Sequence, residues 1–168
     1  MKRAISNTSP LLYLHHADAL PWLPRLFAEI WAPAAVVHEL HEGKQRGFDV
    51  PSPSDCPWLQ VVEPRSVPSE WLTLDLGRGE LAVLALALEN PQSIVLLDDR
   101  LARQLAHAAG LNVWGTLRVL LEAKSLGLTD KVSPLLFRLR DAGMWLSDDV
   151  LDRVLVLAGE KGRRPSHS

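Results

Sequence analysis

Residues 94–99 read Ile-Val-Leu-Leu-Asp-Asp, a continuous apolar run that ends in two acidic side chains. Such a run is typical of a parallel strand that is buried on both faces. Just before it, residues 81–88 read Leu-Ala-Val-Leu-Ala-Leu-Ala-Leu, which predicts a helix that is apolar all round and therefore buried. Asn90-Pro91 separates the two elements and ends the helix.

The same alternation of helix and strand extends over most of the chain. Further strands are predicted at residues 3–6, 59–62 and 111–114. Helices are predicted from Ser9-Pro10 (N-cap and first residue), over about 20–29, 33–43, 100–110 and 116–127, and from Ser133 and Ser147. Residues 43–57 are predicted as a long exposed loop. This order predicts an α/β protein with a parallel sheet and helices on both faces.

Composition limits the classes of protein that fit. The 168 residues (18.6 kDa) suit one domain, which we place at residues 1–158, followed by a polar C-terminal tail at 159–168 whose residues are expected to fray from Glu160. Eighteen basic and 20 acidic residues give a formal charge of −2, which argues weakly against a polyanionic partner. The single Cys56 excludes an internal disulfide and a multi-cysteine zinc site. No apolar run reaches the ~20 residues of a membrane span, so we expect a cytoplasmic protein without membrane contact.

Acidic and amide side chains occur where this architecture would bring them together. Asn7 follows the first strand, Asp98 and Asp99 follow the central apolar strand, Glu80 opens the buried helix and Glu39 lies on the helix after Pro33. Functional groups of parallel sheets gather at the carboxyl ends of the strands. Converging carboxylates repel each other unless a proton or a cation neutralises them, and oxygen ligands suit Mg²⁺ or Mn²⁺.

Each of these residues also has a purely structural explanation. Glu80 is favoured by the helix dipole, and Asp98 or Asp99 is a good N-cap for the following helix. Thr116 and Ser9 are interpreted first as caps. Only the joint pattern favours a functional site.

Other motifs are incomplete. His38-Glu39-Leu40-His41 is one residue short of the metalloprotease zinc motif, no phosphate-binding loop is present, and no Gly-x-Ser-x-Gly elbow occurs.

Five segments together resemble a PIN domain, in the right order over about residues 3–158. They are Ile5-Ser-Asn-Thr-Ser-Pro-Leu-Leu12, Pro33-Ala-Ala-Val-Val-His-Glu-Leu40, Leu76-Gly-Arg-Gly-Glu80, Val95-Leu-Leu-Asp-Asp-Arg100 and Gly115-Thr116. More narrowly, the chain is similar to a prokaryotic subfamily of predicted nucleic-acid-binding PIN proteins. The resemblance implies a three-layer α/β/α sandwich with a mainly parallel central sheet. It also implies a divalent-metal-dependent ribonuclease, like the toxins of toxin–antitoxin pairs.

The resemblance assigns roles to individual residues. The four acidic positions of the family fall on Asn7, Glu39, Glu80 and either Asp99 or Asp98. We therefore expect Glu39, Glu80, Asp98 and Asp99 to be catalytic, and the metal ligands (for Mg²⁺ or Mn²⁺) to be Asn7, Glu80 and Asp99. Hydroxyl groups near the metal or its waters are expected from Thr8, Ser9 and Thr116.

The departure at Asn7 leaves two functions open. An amide oxygen can bind a hard cation but brings no negative charge, so metal affinity falls. One hypothesis is a weak but real metal-dependent endoribonuclease. The other is a catalytically weak or inactive nucleic-acid-binding or regulatory module of PIN type.

The expected partners follow from the same resemblance. RNA phosphates would contact Arg78, Arg100 and Arg103, with Lys44 and Arg46 in reach on the long loop. A small antitoxin protein is expected to cover the site. The leucine-rich helical faces are compatible with that antitoxin and with a homodimer.

Overall fold

The computed structural model describes residues 1–162 as a five-stranded parallel sheet flanked by eight α-helices. The strands are β1 (Arg3–Ser6), β2 (Glu29–Ala32), β3 (Leu59–Val61), β4 (Ile94–Leu96) and β5 (Asn112–Trp114), and they lie in the order β3-β2-β1-β4-β5. The helices are α1 (Thr8–His16), α2 (Leu23–Leu26), α3 (Ala34–Gln45), α4 (Arg78–Glu89), α5 (Arg100–Ala108), α6 (Thr116–Ser125), α7 (Ser133–Asp141) and α8 (Asp148–Leu157). The predicted α/β fold is confirmed.

The strand β1 lies at the centre of the sheet. Ala4 is paired with Ile30 of β2 on one side and with Ile94 of β4 on the other, both in parallel register. Ala4 and Ile5 have no solvent-exposed surface. Because all the strand pairs within residues 1–162 are parallel, the carboxyl ends of the strands lie along one edge of the sheet.

The helix α4 is buried, as its composition predicts. All seven residues from Leu81 to Ala87 are buried, and Leu88 is the first exposed position. Alanines alternate with larger residues along this stretch, which lets α4 lie against β1 as well as against α3 and α5. No polar face is needed on a helix that is covered on most sides.

Residues 20–29 do not form the single helix that was predicted. A 3₁₀ turn at Leu20–Trp22 is followed by the short α2, and Phe27 is already extended. Pro21 and Pro24 lack the N–H groups that a continuous helix requires, so only short helical pieces form. The chain then enters β2, a strand that the sequence analysis missed.

The first helix also begins earlier than predicted. Asn7, not Ser9, is the N-cap residue of α1, and Pro10 is its third residue. Asn7 is extended and its side chain makes no capping hydrogen bond. The loop predicted at 43–57 begins later, because α3 continues to Gln45, and it contains a 3₁₀ turn at Pro53–Asp55.

Glu160, which was expected to fray, is instead docked against the start of α7. Its carboxylate accepts hydrogen bonds from the N–H groups of Val132 (2.8 Å) and Ser133 (3.2 Å) and from Lys124 Nζ (3.1 Å). Burial raises the pKa of Glu160, but these hydrogen bonds outweigh it and lower the pKa to about 2. The boundary between domain and tail stays a prediction, and residues 163–168 of the tail lie outside the described residues.

None of the helices in residues 1–162 combines the length and the apolar character needed to cross a membrane.

We predict that Glu160→Gln lowers the free energy of unfolding by roughly 1–3 kcal/mol, because it removes a charged acceptor from two backbone donors. The pKa of Glu160 is lower in the folded protein than in the unfolded chain. Its contribution is therefore complete above about pH 4.5 and lost as the pH falls towards about 2. Urea unfolding at pH 7 and pH 3 measures both effects. The exposed Glu42→Gln is the matched control, and equal stability of the two variants at pH 7 would contradict the assignment.

Candidate functional site

Asn7 occupies the carboxyl end of the central strand. Its backbone N–H donates to the carbonyl oxygen of Leu96 (3.1 Å), which places it beside the end of β4. Only 3% of the residue is exposed, and its Oδ1 atom has no hydrogen-bond partner within residues 1–162. An unpartnered buried oxygen costs free energy, which makes this atom a candidate ligand for a cation.

Glu39 is fixed by two neighbouring helices. The hydroxyl of Thr8 in α1 donates to its Oε2, and the backbone N–H of Gly79 in α4 donates to its Oε1 (3.1 Å). A Cβ atom at position 79 would lie only 2.6 Å from Glu39 Oε1, so the glycine makes this approach feasible. The carboxylate of Glu39 therefore joins α1, α3 and α4 at the edge where the strands end.

Glu80 directly follows Gly79, and the negative charges of nearby acids affect its pKa. Burial raises its pKa to about 6, and the negative charges of Asp99 and Glu39 add to the effect. Glu39 on α3 and Asp99 after β4 are thus close enough to Glu80 for their charges to act on it. A carboxyl group with a pKa raised by burial and like charges is typical of functional sites.

Asp98 and Asp99, which the sequence could not tell apart, have different partners. Asp99 is the N-cap of α5, where its Oδ2 accepts the N–H of Ala102 (2.9 Å). Both oxygens of Asp98 accept from Thr116, one from its backbone N–H (2.8 Å) and one from its hydroxyl (2.6 Å). Asp99 keeps its Oδ1 without a hydrogen bond in the described chain, so Asp99 is the better placed of the two to bind a ligand.

The surroundings of Asp98 have opposing effects on its pKa. Burial raises the pKa of Asp98, while the hydrogen bonds from Thr116 and the charge of Arg103 lower it, with a net increase. Gly115 allows the close approach, because a Cβ there would lie 2.6 Å from Arg103 Nη1 and 3.2 Å from Asp98 Oδ1. The pKa of Tyr13 is raised by burial and by the charge of Asp98, and the two residues line the same groove.

The predicted hydroxyl groups have different positions. Thr8 contacts Glu39 and Thr116 contacts Asp98, so both hold carboxylates. Ser9 lies further into α1, and no hydrogen bond in residues 1–162 links its hydroxyl to the acidic residues.

The predicted cations have different positions relative to this edge of the sheet. Arg78 lines a groove of about 800 Å³ that opens beside Glu39. Arg100 is exposed at the first turn of α5. Arg103 is half-buried, and its Nη1 donates to the carbonyl oxygen of Leu97 (2.9 Å). Lys44 and Arg46 are exposed, at the last turn of α3 and just after it.

Sequence reasoning missed two glycines that shape the site. Gly79 and Gly115 each provide the space in which a charged side chain approaches the backbone. Both adjoin residues that were singled out, Glu80 and Thr116. Their adjacency to these residues was the only indication in the sequence, since no local pattern distinguishes a glycine needed for close packing from one at a helix start.

The oxygen atoms of these residues are of the type that binds a hard cation, but they do not form a preassembled metal site. Within residues 1–162, no group of three or more His, Cys, Asp or Glu side chains is arranged to hold a metal ion. Two observations favour a cation nonetheless: Asn7 Oδ1 has no partner in the described chain, and burial together with the charges of Asp99 and Glu39 raises the pKa of Glu80. Oxygen donors of this kind suit Mg²⁺ or Mn²⁺, which keep several waters when bound.

We predict that Glu80→Gln stabilises the metal-free protein at pH 7.5. The pKa of Glu80 is higher in the folded than in the unfolded protein, so stability falls as the pH rises through about 4.5 to 6. Removing the charge should recover about 1 kcal/mol. The full shift corresponds to about 2 kcal/mol, and water screens part of it at a half-buried group.

Thermal unfolding in EDTA at pH 7.5 and pH 4 measures this effect. The gain should be present at pH 7.5 and absent at pH 4, and the exposed Glu70→Gln should show no gain at either pH. Destabilisation by Glu80→Gln at pH 7.5 would mean that burial and the neighbouring acids do not disfavour the charged form of Glu80.

Comparison with known proteins agrees with the resemblance seen in the sequence. No curated protein matches the chain significantly. A family model, DUF3368, described as a PIN domain, matches residues 3–160, which is nearly the whole described chain. PIN domains are generally nucleases that use divalent metal ions. The protein therefore belongs to the PIN domain family.

Proposed function

We propose that the protein is a divalent-metal-dependent endoribonuclease that hydrolyses RNA phosphodiesters. Two observations at the carboxyl edge of the sheet carry the proposal: the buried Oδ1 of Asn7 has no hydrogen-bond partner within residues 1–162, and burial and the charges of Asp99 and Glu39 raise the pKa of Glu80. Membership of a nuclease family supports it. A half-buried carboxylate close to other acids is costly for the fold and useful to a site that binds a cation.

Each residue has a role in this proposal. Asn7, Glu80 and Asp99 hold Mg²⁺ or Mn²⁺. When bound, the ion polarises the phosphodiester and activates a water molecule for in-line attack. Glu39, fixed by Thr8 and Gly79, orients the incoming water, and Asp98 positions the segment after β4 through Thr116.

The biological role is proposed from the family. We propose that the chain is the toxin of a toxin–antitoxin pair and acts in the cytoplasm, with Arg78 and Arg100 as phosphate contacts. The exposed Leu88 on α4 and Leu101 on α5 are compatible with a small antitoxin that covers these helices. A short reading frame directly beside the gene, whose product blocks growth arrest, tests this role.

The second candidate function is supported by Asn7. An amide where the family has its first acidic position removes one charge from the ligand set, which favours a nucleic-acid-binding or regulatory module with little activity. RNA binding without metal-stimulated cleavage would favour that module over the nuclease.

We predict that Asp99→Asn lowers Mn²⁺-dependent cleavage of single-stranded RNA by at least about 100-fold, because it removes a ligand charge. Asn is as good an N-cap as Asp, so the start of α5 is preserved and the fold is not the variable. The exposed Asp130→Asn is the matched control and should retain full activity. Unchanged cleavage by the Asp99 variant would sink the assignment of this residue.

We predict that Gly79→Ala separates activity from stability. Its Cβ would displace the carboxylate of Glu39, and misplacement by about 1 Å can cost about 100-fold in rate. The free energy of unfolding should stay within about 1 kcal/mol of the wild type, because Ala favours the helix. Gly77→Ala, where a Cβ has nothing within 4 Å, should show the reverse: unchanged cleavage, and a small loss of stability at the N-cap.

We predict that Asn7→Asp tightens Mn²⁺ binding and destabilises the metal-free protein. The variant adds a carboxylate at a buried position on the same edge of the sheet as the acidic residues, which favours the bound cation and disfavours the empty site. Calorimetric titration with Mn²⁺ and unfolding in EDTA measure the two effects. An unchanged Mn²⁺ affinity would place Asn7 outside the coordination shell.

A further inference from the structure

A second groove lies beside Asp98, and most of its lining residues have no role in the proposed chemistry. It has a volume of about 420 Å³ and shares no lining residue with the groove beside Glu39. The walls used in the argument below are Tyr13, Asp98, Arg103, Arg118 and Trp145. We call it the Trp145 groove. Because Asp98 directly precedes Asp99, the groove adjoins the acidic edge of the sheet.

The most unusual feature of this groove is the exposure of Trp145. The residue is 85% exposed, the highest value of any large hydrophobic residue within 1–162. In this part of the chain its ring stacks on no other ring and on no cation. Tryptophan is normally well buried, and an exposed indole in a groove marks a binding surface.

Two arginines give the groove a positive side. Arg118 lies over the ring of Trp114 (5.1 Å to the ring centre), and its Nε donates to Glu122 Oε1 (2.7 Å), so its guanidinium is held in place. Arg103 also lines the groove. The acidic wall, Asp98, already has both oxygens bonded to Thr116 and lies near Arg103. An aromatic face beside fixed guanidinium groups is the combination that binds unpaired bases and their phosphates.

We propose that the Trp145 groove binds a single-stranded segment of the RNA substrate, with one unpaired base stacked on Trp145 and a phosphate on Arg118. This inference rests on the proposed function. Both faces of a base inside a duplex are covered by its neighbours, so only an unpaired base can stack on the indole. The groove therefore selects single-stranded RNA and guides it towards Asp99.

Binding is measured in EDTA with a fluorescein-labelled single-stranded oligoribonucleotide and with the same strand in a duplex. Trp145→Ala should weaken binding of the single strand roughly 5- to 100-fold, and should leave the weaker duplex binding unchanged. Trp145→Phe should retain most of the affinity, because a phenyl ring can still stack on a base. Trp145→Leu should lose affinity, because leucine offers a hydrophobic contact but no ring for stacking. Phe137→Ala, at an exposed aromatic residue that does not line the groove, should bind as the wild type does.

The role of Arg118 has its own readout. Arg118→Ala should reduce the slope of log Kd against log salt by about 0.7, the value for one phosphate contact on a single strand. Glu122→Gln releases Arg118 from its ion pair and should keep or increase the affinity. A slope that does not change in Arg118→Ala would remove this arginine from the interface.

The outcomes separate this inference from the proposed function. Equal single-strand affinities of wild type and Trp145→Ala would overturn the groove assignment, even if Mn²⁺-dependent cleavage is found. So would a wild-type dimer that Trp145→Ala dissociates in analytical ultracentrifugation, since the indole would then be a contact between copies. Trp145-dependent RNA binding without any cleavage would support the groove and contradict the nuclease.

Discussion

The parallel pairing of β1 with β2 and β4 is the constraint on which the site depends. Ala4 is paired on both sides, and this buried central strand ends at Asn7, beside the end of β4. Because the neighbouring strands run in the same direction, the residues after β1 and β4 reach the same edge, and the helices that follow start there. The starts of α1, α4 and α5 then bring Thr8, Gly79 and Asp99 to one place. An antiparallel β4 would carry Asp99 to the opposite edge of the sheet.

The acidic edge brings like charges together, which is locally unfavourable for the stability of the fold. Burial, together with the negative charges of Asp99 and Glu39, raises the pKa of Glu80 to about 6. Glu39 and Asp99 are partly compensated by backbone N–H groups at helix starts, from Gly79 and Ala102, where the helix dipole favours negative charge. Asp98 has Thr116 and Arg103 instead. At this edge, Asn7 Oδ1 is buried and has no hydrogen-bond partner within residues 1–162, and a cation bound there would complete the set.

Much of this fold could be predicted from local sequence, and the exceptions have clear physical reasons. The composition of the apolar run at 94–97 and of the Ala/Leu-rich α4 is enough to predict that both are buried. The composition of the strand β2 is not enough, because Glu29-Ile-Trp-Ala follows a proline-containing helical pattern and is defined by its pairing with β1. At the site, position after a strand indicated Asn7, Asp98 and Asp99. The hydrogen bonds from Thr8 and Gly79 to Glu39 depend on how α3 packs against α1 and α4, and no local sequence pattern predicts that packing.

The central claim is that Asn7, Glu80 and Asp99 form one cation site at the carboxyl edge of the sheet. Anomalous diffraction from crystals soaked in Mn²⁺ tests it most directly, because the manganese signal locates the ion independently of any activity. The account predicts an anomalous peak within coordination distance of Asn7 Oδ1 and of carboxylate oxygens of Glu80 and Asp99. Crystals that hold Mn²⁺ only at other positions, with Asn7 Oδ1 still unpartnered at a saturating concentration, would contradict it.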